Sequence, residues 1–279
     1  MKSINKTIVK VTLLIVCMFF SIQSFSQSSQ IISTEKAFER GINAYNNDRF
    51  TEAFPDLLQA AEAGISEAYG PLINLYADGD YDGSGKGNYK QAFSWVLMAQ
   101  QKYLGGDKNQ KLAVIYLTNY APLCFLVGDY QETIDAVTKG YKMGFPKIPY
   151  VMAQVAASCL KLGKISKANE WLNNAMSLAK EKNDMLSFHA INAIRSKIAL
   201  DKKDYSHALE LSKDAATEGK IPLAAYVYGV ALTETKNRPE IGKKWVKAAA
   251  EYDYYGIFEI NCFEDEIKQY WKTIKNLSF

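Results

Sequence analysis

Only two histidines, four cysteines, seven prolines and 17 glycines occur among the 279 residues, and each scarcity closes off a class of protein. So few cysteines exclude a disulfide-stapled scaffold. So little glycine and proline excludes collagen-like and low-complexity chains. Net charge is scarce too: 33 basic against 30 acidic residues give +3, while 48% of the residues are apolar. A chain of that composition buries a core instead of staying disordered.

Catalytic signatures are equally thin. The sequence has no Gly-x-Ser-x-Gly, no His-Glu-x-x-His, no Cys/His metal spacing and no phosphate-binding loop. Gly83-Ser84-Gly85-Lys86-Gly87 is glycine-rich but lacks both the phosphate-loop spacing and a preceding strand. His189 sits in a first-helix stretch and reads as a satisfied or groove-facing histidine, and His207 opens a second helix in a polar context and reads as solvated. The expectation is a protein that is not an enzyme and carries no cofactor.

The N-terminus has a plainer meaning. Lys2, Lys6 and Lys10 precede the apolar run Val11 to Phe20, and Ser24 and Ser26 follow as a small-x-small pair. This is the layout of a secretory signal peptide over residues 1–26, cleaved after Ser26. The run is about half the ~20 apolar residues a membrane-spanning helix needs. Val16 is too large for the position before a lipidated cysteine, so Cys17 is not read as an anchor. The expected product is periplasmic or secreted, has no transmembrane segment after cleavage, and starts with a flexible Ser/Gln-rich leader at 27–33. Residues 1–26 hold three of the basic residues and none of the acidic ones, so the rest of the chain is formally neutral. Nucleic-acid binding thereby loses its compositional support. Cys124, Cys159 and Cys262 remain, widely spaced, and read as buried thiols and not as a bridge framework.

What the sequence does contain is a repeat. Phe50-Thr51-Glu52-Ala53, Tyr89-Lys90-Gln91-Ala92, Tyr130-Gln131-Glu132-Thr133, Ile165-Ser166-Lys167-Ala168 and Tyr205-Ser206-His207-Ala208 share one pattern, an aromatic or Ile with a small residue three places on. Their last residues are 39, 41, 35 and 40 positions apart, and a weaker unit follows at Ile241 to Trp245. That period suits a two-helix unit and no strand or heptad repeat. Short polar turns precede each start, as at Asn47-Asp48-Arg49, Gly128-Asp129, Gly163-Lys164 and Lys202-Lys203-Asp204. Small residues then recur two turns apart on one face: Ala53 and Ala60, Ala92 and Ala99, Ala168 and Ala175, Ala208 and Ala215. Gly41, Ala121, Ala156 and Gly229 supply the matching close approach on the preceding helices. Pro149 and Pro222, two periods apart, open first helices, while Pro55 falls a turn into its helix and is expected to delay that helix's start.

These motifs resemble tetratricopeptide and Sel1-like repeats over residues 34–252. The Sel1-like flavour lies in Ala60-Ala61-Glu62-Ala63-Gly64 and Ala215-Ala216-Thr217-Glu218-Gly219, while the units at Gly128-Asp129-Tyr130 and Gly163 are closer to ordinary tetratricopeptide repeats. The resemblance implies an all-α, right-handed superhelical solenoid of about six antiparallel helix pairs. Residues 253–279 break the pattern, and Ile267, Tyr270, Trp271 and Ile274 predict a capping helix there. The family's ligand groove is the concave face lined by first helices, which implies Phe38, Tyr45, Asn74, Asn119, Phe125, Lys161, Lys197 and Tyr226 as partner-binding residues. The places used by carboxylate-clamp domains hold Phe38, Thr118, Ala153 and Ala193, so capture of a free C-terminus is not implied.

Two local features add candidates. Asp78, Asp80 and Asp82 alternate ahead of Gly83 as in the first half of a calcium loop, but the twelfth place holds Tyr89 in place of a bidentate Glu. A weak calcium site is one reading and a glycine- and aspartate-rich connecting loop the other. Tyrosines crowd the C-terminal units at 226, 228, 252, 254 and 255. Two functions follow: a non-catalytic exported scaffold that binds a protein or peptide in its groove, or a glycan-binding accessory to envelope polysaccharide handling that uses the tyrosines as a platform.

Overall fold

The repeat starts become helix starts. The computed structural model describes residues 33–106, 119–252 and 259–277, apart from 143, 145 and 237. In chain order the helices are α1 (residues 33–46), α2 (Phe50–Glu62), α3 (Tyr69–Asp78, after a 3-10 turn at Ser66–Ala68), α4 (Tyr89–Leu104), α5 (Tyr120–Leu126) and α6 (Tyr130–Lys142). They continue as α7 (Pro149–Lys161), α8 (Ile165–Glu181), α9 (Met185–Asp201), α10 (Tyr205–Thr217), α11 (Pro222–Glu234), α12 (Pro239–Ala250) and α13 (Glu264–Ile274). All five repeat motifs open a second helix at their aromatic or Ile. The expected signal peptide and residues 27–32 of the leader lie outside the described residues, and Ser33 is already helical.

The described helices form an all-α solenoid of six pairs, a tetratricopeptide-like architecture. Each helix from α2 to α12 packs on the next in sequence, and first helices also pack on one another: α5 on α7, α7 on α9, α9 on α11. Among the described residues second helices make no comparable layer, so the first helices form the inner, more closely spaced wall. The alanines two turns apart explain the spacing. All eight, from Ala53 to Ala215, are fully buried where their helix meets its neighbours. The tightest approach joins α11 to α12: a Cβ on Gly229 would stand 2.6 Å from the Gly242 carbonyl oxygen.

The turns within pairs share one construction. Arg49 N–H donates to the Ala44 carbonyl at 3.0 Å, Asp129 to Cys124 at 2.8 Å, Lys164 to Cys159 at 2.8 Å and Asp204 to Ala199 at 3.0 Å. These six-to-one bonds close the helix end and require one left-handed residue, supplied by Asp48, Gly128, Gly163 and Lys203. Where the residue after the turn is an aspartate it also caps the next helix: Asp129 Oδ1 accepts from Glu132 N–H and Asp204 Oδ1 from His207 N–H, each at 3.2 Å.

Pro149 and Pro222 occupy first helical positions as expected. Pro55 departs from expectation, because α2 begins at Phe50 and runs through it. The lost backbone donor is tolerated a turn inside a helix whose other face is anchored by Ala53 and Leu57. Cys124 and Cys159 are buried free thiols and Cys262 a partly buried one. Burial pushes the Cys124 thiol up to about 12.

The C-terminal helix α13 covers the last pair, packing on α12 and α11 with Ile267 and Ile274 buried. Glu264, Asp265 and Glu266 fill its first turn, where carboxylates suit the helix dipole. No helix among the described residues is long and apolar enough to cross a membrane.

Candidate functional site

The inner wall is already engaged by polypeptide from the same chain. Residues 259–263, just ahead of α13, lie against the first helices. Gln154 of α7, fully buried, donates from Nε2 to the Glu259 carbonyl at 3.4 Å. The Phe263 ring stands between two lysines, with Lys161 Nζ 5.5 Å and Lys197 Nζ 5.4 Å from its centre. Glu266 Oε1 is 3.1 Å from Lys197 Nζ and accepts from the Tyr226 hydroxyl at 3.2 Å. Tyr270 then meets Tyr226 edge to face at 5.7 Å. Three consecutive first helices, α7, α9 and α11, thus grip one segment through a main-chain carbonyl, an aromatic ring and a carboxylate.

Electrostatics follow from this contact. Lys197 is 4% exposed, a cation out of water, and pairs with Asp201 on its own helix as well as with Glu266. A buried ammonium needs such partners, because leaving it unpaired is costly. Burial raises the Tyr226 phenol well above its ordinary range, and Glu266 adds to the shift. Burial pushes Tyr130 up to about 12, with the thiol of Cys262 and the charge of Asp265 contributing. Tyr89 reaches about 12 through burial, then through Glu259, Asp78 and Glu264. Beside Phe263 a cleft of about 360 Å³ stays open, bounded by Lys161, Ile165, Lys197, Lys202 and Glu266.

The residues expected in the groove divide into three groups. Lys161, Lys197 and Tyr226 converge on the C-terminal segment as described. Phe38, Tyr45 and Asn74 lie at the other end of the chain's stack, half-buried, with Asn74 Nδ2 donating to the Tyr45 hydroxyl at 3.1 Å. Asn119 and Phe125 do not line a surface. Asn119 is buried at the head of α5 and Phe125 is core, packed edge-on to Tyr130 at 6.0 Å. The reason is the shortness of α5, whose residues from Tyr120 to Phe125 are buried on every side.

The aspartate-rich segment is a packed loop. Among the described residues no three of His, Cys, Asp and Glu gather as a metal would require, so Asp78, Asp80 and Asp82 do not converge. Asp82 instead accepts from the Ser84 N–H at 3.0 Å, while Asp78 and Asp80 both titrate upward through desolvation. The glycines serve backbone contact: a Cβ on Gly79 would meet the Lys86 nitrogen at 2.2 Å. Tyr81 anchors the loop in a cluster with Phe54 and Tyr76, at 5.6 and 5.0 Å.

Of the tyrosines expected as a platform, Tyr252 is exposed while the others described are packed. Tyr226 is buried, Tyr228 packs edge-on to Trp245 at 5.7 Å, and Tyr254 and Tyr255 lie outside the described residues. The histidines stand apart: His207 is exposed 3.8 Å from Glu210, and His189 is buried where Gly219 crosses it.

Phe263, Glu266, Gln154 and Asp201 were not among the sequence candidates. The signal for two of them was present as an aromatic followed by three acids, Phe263-Glu264-Asp265-Glu266, in a chain with lysines on otherwise apolar first helices.

No protein-family description matches the chain, and no curated protein matches it. A solved structure it resembles is the human IFIT1 dimer with m7Gppp-AAAA, at 15% identity and a TM-score of 0.42 over 76% of this chain. The chain spans about half, 48%, of that protein's length. At that identity and TM-score the likeness says nothing about a shared ligand.

Proposed function

We infer that this protein is an exported, non-catalytic scaffold of Sel1-like and tetratricopeptide-like pairs that binds a protein or peptide on the wall of its first helices. One observation carries the reading: that wall already holds polypeptide, through Gln154, Lys161, Lys197 and Tyr226 on three successive helices. Rigid helices present these groups at fixed spacing, so recognition needs no covalent step and no cofactor. Export rests on the basic, apolar and small-residue succession of residues 1–26. The glycan alternative loses its best residue with the burial of Tyr226.

A photo-crosslinking residue placed at Lys161, on the wall, and at the exposed Lys213 of α10 separates wall binding from general stickiness. The scaffold reading expects an adduct with one envelope polypeptide from position 161 and none from 213. Equal labelling at both contradicts it, as does no adduct from 161 either in the wild-type chain or in one whose C-terminal segment is loosened from the wall.

A further inference from the structure

The C-terminal segment is held by two different kinds of contact. Helix α13 is fixed to the last pair by buried Ile267 and Ile274. Residues 259–266 meet the inner wall through buried Ile260 and Phe263 and, besides this apolar cover, through polar and cationic groups: the Gln154 amide on a main-chain carbonyl, two ammonium groups on the Phe263 ring, and Lys197 with Tyr226 on the Glu266 carboxylate. The side chain of Glu266 is 42% exposed, so water competes directly for that pair. A cap needs only apolar cover, and an amide, a cation pair and a phenol aimed at one segment exceed that need. They are the means by which a peptide is read: backbone, aromatic anchor, carboxylate.

We propose that the wall from Gln154 to Tyr226 is a recognition site for an acidic segment with an aromatic anchor on a partner protein, and that residues 259–266 are its resident pseudo-ligand. The proposal rests on the scaffold reading and names both the ligand's chemistry and its regulation. Charge complementarity selects the partner: Lys161 and Lys197 flank the aromatic position, and Lys202 edges the open cleft beside it. An aromatic ring between two ammonium groups gains cation–π attraction that an aliphatic anchor lacks. Being tethered, the resident segment competes at an effective concentration on the order of millimolar. A partner therefore gains the site by binding tightly or by arriving beside it at high local concentration.

The probe is a fluorescent synthetic peptide spanning this chain's residues 259–274, titrated by anisotropy against the full chain. Wild type is expected to bind it weakly. The Phe263→Ala/Glu266→Gln variant, which loosens the resident segment while leaving Ile267 and Ile274 in place, is expected to bind at least about tenfold more tightly. Adding Lys197→Met to that variant is expected to abolish the gain. Equal binding to wild type and double variant, or a gain that survives Lys197→Met, overturns the proposal. Should the double variant misfold, Glu266→Gln alone, which weakens only the resident segment's hold on Lys197 and Tyr226, is expected to give a smaller gain in the same direction, and no gain overturns the proposal. The two readings fail separately. An adduct from position 161 that is indifferent to Phe263→Ala/Glu266→Gln leaves the scaffold standing and removes the pseudo-ligand, whereas no adduct in either background removes both.

Discussion

Lys197 Nζ lies 3.1 Å from the Glu266 carboxylate, joining residues on the ninth and last helices across 69 positions of sequence. Lys197 is almost fully buried while Glu266 is partly in water, so the pair is asymmetric. A double-mutant cycle of Lys197→Met and Glu266→Gln in urea should give a coupling of about 0.5–1 kcal/mol. Glu266→Gln alone should be mild, because Asp201 still neutralises Lys197. A coupling near zero would mean that the segment is held without the ion pair.

The contact of α11 with α12 leaves no room for a side chain. Gly229→Ala places a methyl 2.6 Å from the Gly242 carbonyl oxygen and 2.8 Å from Val246 Cγ2. Backbone cannot yield as a flexible side chain does, so the pair must spread. We expect a loss of about 1–3 kcal/mol, read as a lower Tm, and little change on the exposed face at Lys244.

Lys203 adopts a left-handed backbone, φ 59°, at a place where two other pairs use glycine. A side chain there costs about 1 kcal/mol that glycine avoids. Lys203→Gly should therefore raise stability by roughly 0.5–1 kcal/mol, despite glycine's greater freedom in the unfolded chain. Chemical denaturation checks it, and a loss of stability would show that the lysine side chain is held by contacts beyond the turn.

Buried tyrosines predict alkaline sensitivity. Tyr89 and Tyr130 titrate near 12 in the folded chain, and Tyr120, Tyr150 and Tyr226 are raised further in the same direction, first by burial. A folded pKa above the unfolded value of about 10 contributes stability that is complete below pH 10 and is lost as pH climbs through the folded values. Phenolate absorbance should rise in two steps, exposed tyrosines first and buried ones together with the loss of helical circular dichroism. A single step near pH 10 with the helices intact would contradict the burial.

How legible this was in the sequence depends on range. The helix pairs were readable because each is local: the aromatic at Tyr130 or Tyr205 opens its helix, and the alanines from Ala53 to Ala215 mark its buried stripe within a few turns. Pro149 and Pro222 fixed two more boundaries by their geometry alone. The inner-wall site was readable on one side only. Lys161, Lys197 and Tyr226 follow from repeat phase, but their partners Phe263 and Glu266 lie outside any repeat, and nothing periodic relates a wall to a tail. Phe125 misled for the same reason. Phase put it on the wall, while the burial of nearly all of α5 is decided by neighbours distant in sequence. The alternating aspartates had the spacing of a cation loop without the convergence, since Gly79 and Gly87 bring backbone against backbone there instead.

The most direct test of a first-helix wall occupied by the chain's own C-terminal segment is photo-crosslinking from position 263, with benzoylphenylalanine replacing Phe263 in the full chain and the adducts mapped by mass spectrometry. Intramolecular adducts on α7 around Lys161 and on α9 around Lys197 are predicted, diminished when a peptide of residues 259–274 is added in excess. Adducts confined to α12, or none within the chain, would contradict the account.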